Sequence, residues 1–121
     1  MPFRMLLDGG VVAPGDAALV GARNLDPPEV EFMSAVGLDD SVDRALAGTD
    51  AVYVALDLDV LDPSEVDVLF PEPDGMSASE LESFLRDLGS RTTIAGIGVT
   101  GLLASDRNAA LAPRMLAAAG F

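Results

Sequence analysis

The feature that most constrains this chain is a set of three short runs that stay apolar without alternating. Ala51 to Leu56 (AVYVAL) would present apolar side chains on both faces of a strand, and Thr92 to Thr100 (TTIAGIGVT) and Ala17 to Ala22 behave in the same way. A strand with one wet face alternates between polar and apolar. A run that does not alternate asks for cover on both sides, as in a parallel sheet between layers of helix. Strands are therefore expected near residues 17–22, 51–57 and 92–99.

The segments around them read as helices. Glu29 to Val36 is one, and Ser41 to Ala47 is another, stopped by Gly48. Ser77-Ala78-Ser79-Glu80 fits a capping box, and Leu81, Phe84, Leu85 and Leu88 then recur at helical spacing until Gly89, which is expected to stop the helix. A last helix is expected from about Arg107 to Ala119, with Pro113 kinking it or marking a second start. The opening Met1-Pro2-Phe3-Arg4-Met5-Leu6-Leu7 also reads as a helix. Strands alternating with helices predict an α/β fold, a three-layer α/β/α arrangement around a parallel sheet. Three core strands are few for that class, so the sequence reads as part of a larger sheet whose edge would otherwise stay unpaired.

Composition narrows the function. The chain has 121 residues, half of them hydrophobic, which suits a single compact core. Its 20 acids face seven basic residues, all arginine, for a formal charge of -13. Nucleic acid and anionic membrane are poor partners for such a surface. Fourteen of the acids lie between Asp26 and Asp74, where Arg44 is the one base. The block is either a solvated face or a field that attracts a metal, a guanidinium or an amine. Without cysteine or histidine, the chain can build neither a thiolate nucleophile nor a Ser-His-Asp triad. No apolar run approaches the roughly 20 residues of a membrane span, and the N-terminus does not read as a signal peptide, so a cytoplasmic protein is expected.

Sites in open α/β sheets form beyond the carboxyl ends of the strands. There, Val54-Ala55-Leu56-Asp57 runs an apolar strand directly into a carboxylate, and Asp59 follows two residues later. On an extended backbone both would share a face and repel one another unless a cation or proton lay between them. A hard divalent ion such as manganese or magnesium would relieve the repulsion. The plainer alternative is that Asp57 caps a loop while Asp59 and Asp62 shape a turn before Pro63.

The run from Val54 to Pro63 (VALDLDVLDP), followed by Pro71-Glu72-Pro73-Asp74-Gly75-Met76-Ser77, resembles the ureohydrolase superfamily of arginases, agmatinases and formimidoylglutamases. That signature reads Ser-x-Asp-x-Asp-x-x-Asp-Pro, then Pro-Glu-x-Gly-Gly-Leu-Thr leading into a helix. Gly21-Ala22-Arg23-Asn24-Leu25-Asp26-Pro27-Pro28-Glu29 is similar to the superfamily's Gly-x-Arg-Asp-x-Asp-Pro-x-Glu. The resemblance covers nearly the whole chain and implies a single partial domain over 1–121, the C-terminal half of an arginase-like fold truncated to about three core strands. It implies that Asp57 and Asp59 are ligands in a two-manganese cluster, and that Asp26 and Glu29 sit where the amino end of a small cationic guanidino or amidine substrate is held. It implies hydrolysis of a guanidino or amidine C–N bond, with a homo-oligomer or a complementing N-terminal half as partner.

The superfamily's histidine segments have no counterpart here, and Gly98 and Gly101 stand where its Gly-x-Asp-x-x-Glu places acids. The chain alone is therefore expected to be inactive, and the alternative is a non-catalytic metal-binding or assembly module derived from the same fold. Asp57-Leu58-Asp59 also resembles the nucleophile motif of haloacid dehalogenase-like phosphatases, but the Gly-Thr that frames the phosphate is missing.

Overall fold

The computed structural model describes residues 2–121. Their internal contacts divide them into two compact units, one ending at Asp50 and the other running from Ala51 to Phe121.

The first unit contains helices α1 (Pro2–Asp8), α2 (Pro27–Val36) and α3 (Val42–Ala47), with a 3-10 turn over Pro14–Asp16. Asp26 is the N-cap of α2, and Pro27 enters with its φ already helical. Gly37 closes α2 at φ 71, the left-handed C-cap that glycine adopts without a Cβ penalty. Ser41 caps α3 by accepting the Arg44 N–H at 3.3 Å. The Arg44 guanidinium then ties the unit together, donating to Pro14 O at 3.0 Å, Ala17 O at 3.1 Å and Asp39 Oδ1 at 2.8 Å.

The expected strand at Ala17–Ala22 does not form. The segment is irregular, and its Leu19 N–H donates to Asp39 O at 2.9 Å. Gly21 turns the backbone at φ 73 within this segment.

The second unit holds β1 (Ala51–Asp57), α4 (Ala78–Arg91), β2 (Thr93–Thr100) and α5 (Asp106–Ala118), with a 3-10 turn at Leu58–Val60 directly after β1. The strands pair in parallel, Ala51 with Thr93 through Asp57 with Thr100, with an irregularity between Val52 and Tyr53. The sheet of the described residues therefore has two strands, where the sequence predicts about three.

Helix α4 begins at the predicted capping box. Ser77 Oγ accepts the Glu80 N–H at 3.1 Å, and Glu80 Oε2 accepts the Ser77 N–H at 2.7 Å. Ala78, Leu81, Leu85 and Leu88 form its buried stripe. α5 buries Asn108, Leu111, Met115 and Ala118 at the same spacing. These faces join Leu56, Leu58, Leu61 and Val66 in one core, with Val54, Ile94, Ile97 and Val99 packed against it. Full burial of Leu58, Leu61, Leu85 and Met115 contributes about 2 kcal/mol each.

One helix boundary differs from expectation, and for Pro113 one of the two expected outcomes is absent. α4 continues through Gly89 to Arg91, and α5 continues through Pro113 without a second start. In α5 buried residues lie on both sides of Pro113, whereas in α4 the buried residues all precede Gly89. The opposite face of the sheet is open, because Ala51, Tyr53, Ala55 and Asp57 are exposed.

Candidate functional site

The two aspartates after Leu56 are adjacent, but they do not share an extended face. β1 ends at Asp57, and the chain winds at once into the 3-10 turn of Leu58–Val60. The cause is local. Asp57 Oδ1 accepts the Asp59 N–H at 3.2 Å, so the first carboxylate caps the turn that carries the second. Leu58, completely buried, points into the core, while Asp57 and Asp59 remain exposed. The cap and the pairing of carboxylates are therefore both present in the same three residues. Asp62 builds a further turn, accepting from Ser64 N at 3.0 Å and Ser64 Oγ at 2.6 Å.

The loop that follows is fixed at both ends. Asp62 N–H donates to Met76 O at 2.8 Å, and Met76 N–H to Val60 O at 3.0 Å. Gly75 lies so close that a Cβ there would overlap the Leu61 backbone and approach Asp62 N to 2.5 Å. Glycine is required at this position by the crossing of two backbones. On the other side, buried Asn108 accepts the Asp67 N–H at 3.1 Å and donates to Asp67 O at 2.6 Å and Leu103 O at 2.8 Å. One amide thereby joins the loop after β1 to the loop after β2.

Two features of this end were not apparent from the sequence. Tyr53 lies over the sheet so closely that a Cβ at Gly96 would be 3.1 Å from its ring and one at Gly98 2.5 Å from its hydroxyl oxygen. A side chain at Gly101 would collide with the Asp57 carboxylate. The glycines at 98 and 101 thus match the placement of Tyr53 and Asp57. Composition and spacing carry no signal for either contact.

Asp26 and Glu29 are brought together at the start of α2, where the Asp26 N–H donates to Glu29 Oε2 at 3.1 Å. A shallow recess beside them is lined by Arg4, Pro28, Glu29 and Phe32. The Arg4 guanidinium lies 4.6 Å from the centre of the Phe32 ring, a cation–π contact. Among the described residues no three acidic side chains converge on one point, so each pair stands as a pair.

The model of the arginase family matches residues 1–116. This chain belongs to the arginase family. A formimidoylglutamase of Halobacterium salinarum is 31% identical to the arginase-family chain, over 74% of this chain and 34% of that relative. The solved formimidoylglutamase of Bacillus subtilis has the same fold at a TM-score of 0.87 and 19% identity, over 98% of this chain and 45% of that one. The solved arginase of Bacillus caldovelox reaches a TM-score of 0.76 at 25% identity, over 89% of this chain and 43% of that one. The arginase-family chain spans about a third of the curated relative and less than half of these solved ones. The α/β class with a parallel sheet, expected from the sequence, is the fold these relatives share with it.

Proposed function

We propose that the chain supplies part of a manganese site in a ureohydrolase-type enzyme that hydrolyses a guanidino or amidine C–N bond in a small cationic substrate. Asp57 and Asp59 are the proposed metal ligands, and Asp26 and Glu29 the proposed contacts for the amino end of the substrate. The observation that carries the reading is the Asp57-Leu58-Asp59 turn at the carboxyl end of a parallel strand, in a chain of the arginase family.

The donor set fits manganese in kind. Both groups are hard carboxylate oxygens, and together they furnish two of about six positions in the shell. With Oδ1 of Asp57 engaged by the Asp59 amide, the orientation of the carboxylate is set before a cation arrives. When bound, manganese supplies Lewis-acid polarisation and a lowered pKa for water. The chain's own residues hold the ion, and their acidic surroundings, -13 overall, draw a cationic substrate inward. With no histidine to transfer protons near neutral pH, the chain alone does not turn over substrate. Its proposed partner is a histidine-bearing half of the same fold, or further copies of the chain, in the cytoplasm.

Titration calorimetry tests the metal ligands. The wild type should bind manganese weakly, and the double variant Asp57→Asn, Asp59→Asn should lose that binding. Equal uptake by both would assign binding to the acidic block at large. Urea release from arginine, agmatine and guanidino acids, and formamide release from a formimidoyl compound, test the reaction. With excess manganese the expected result is no turnover by the chain alone, and turnover once the histidine-bearing half is added. Turnover by the chain alone that disappears in Asp57→Asn would place the whole reaction within these 121 residues. A second reading, a non-catalytic module, is favoured by the glycines at 98 and 101, and manganese binding with no turnover in either arm would select it.

A further inference from the structure

We propose that the two loops leaving the carboxyl end of the sheet form an apolar subsite for the hydrocarbon arm of a guanidinium or amidinium compound, whose charged head lies beside Asp57 and Asp59. The inference rests on the reading of a guanidino or amidine substrate and adds the chemistry of the rest of that molecule. Asp57 pairs with Thr100 at the ends of β1 and β2, so Gly101 to Leu103 leave the sheet beside the carboxylate pair. The Leu103 N–H donates to Asp67 O at 3.0 Å, and the buried Asn108 amide donates to Asp67 O and Leu103 O. Leu69 and Phe70 follow Asp67 closely in the chain. Four apolar side chains therefore stand on one clamped pair of loops, at the end of the sheet where sites form.

All four are uncovered, Leu69 and Phe70 at 67% and 76% exposure, Leu102 and Leu103 at 41% and 43%. The exposure is selective, because the same loop buries Val66 and packs Val68 on the core. Grouped apolar exposure of this kind marks a surface that binds. Charge selects the occupant. From Asp57 to Asp74 the chain carries seven acids and no base. The Arg107 guanidinium reaches this segment at 3.5 Å from Asp67. A second copy would bring the same acids against the first, and an anionic lipid surface is repelled in the same way. A cation with an apolar arm meets both features, its head drawn to the carboxylates and its arm covering the loops.

The test is an NMR titration of the whole metal-free chain with methylguanidine, butylguanidine and octylguanidine, with butylurea as the neutral counterpart. The guanidines should shift the Asp57 and Asp59 amides. Affinity should rise at least about tenfold from butylguanidine to octylguanidine, where full burial of the four added methylenes would give about 200-fold. Phe70→Ser, which alters a side chain outside the core, should cut that rise below about threefold. Phe121→Ser, also exposed but beyond the far end of α5 from Asn108, should keep it. A flat series, a rise that survives Phe70→Ser or is lost in Phe121→Ser, or butylurea binding as tightly as butylguanidine overturns the proposal. A wild type that dimerises in sedimentation while Phe70→Ser stays monomeric assigns the loops to a second copy and overturns it too. Guanidines that shift neither amide overturn it together with the substrate reading, and manganese uptake lost in the Asp57→Asn, Asp59→Asn variant keeps the metal reading apart from that failure.

Discussion

Asn108 has more consequence than any other single polar residue in the second unit. It is 2% exposed and connects Asp67 to Leu103 through three hydrogen bonds. Asn108→Leu would keep the volume and leave the Asp67 N–H and the Leu103 carbonyl without their partner. The expected loss is about 2–4 kcal/mol, read from urea unfolding. Asp39 gives a pH prediction. The Ser41 backbone N–H, and after it the Arg44 guanidinium, hold its carboxyl below the ordinary value of 3.8. A carboxyl with a lowered folded pKa adds stability above its ordinary value and loses it as pH falls through the folded value. Asp39→Asn should therefore unfold less steeply with acid below pH 3.8 than wild type, in melts recorded across that range. The role of Asn108 could not be inferred from the sequence, since its partner Asp67 lies 41 residues away, whereas Asp39 reaches Ser41 only two residues on.

At the scale of elements, local chemistry was readable and competition between interactions was not. Ser77 and Glu80 cap α4 as their spacing predicts, and Ser77→Ala should cost about 1 kcal/mol in thermal melting. The Leu81, Leu85 and Leu88 stripe likewise follows from its period. Gly89 does not end α4, because a mid-helix glycine costs only about 1 kcal/mol against alanine and the buried leucines on its N-terminal side outweigh that. Ala17–Ala22 has strand composition, but a strand also needs a neighbour, and Gly21 turns the chain within it. Asp57 and Asp59 stand in one turn and not on the shared extended face expected from their spacing, because the side chain of the first residue competes with the extended backbone and wins the amide of the third.

The whole molecule is dominated by one sign of charge. A formal -13, all of it net between Asp26 and Asp74, repels itself in the folded state. Raising sodium chloride from about 10 mM to 150 mM shortens the Debye length from about 30 Å to 8 Å, so the melting temperature should rise over that range. The two units are also unequally buried. Of the buried hydrophobic residues, Ala17, Leu38 and Ala45 belong to the first unit, and the rest lie in the second. None of the residues of α2 is buried. The first unit should therefore unfold at the lower temperature.

The ring resting on Gly96 and Gly98 makes that difference observable without a label. Tyr53 is the only tyrosine in a chain that has no tryptophan, so intrinsic fluorescence reports a single position, on β1. Ellipticity in the far ultraviolet reports helices from both units. Recorded on the same sample, ellipticity should begin to fall before the Tyr53 emission changes. Coincident curves would mean that the chain unfolds as one cooperative body.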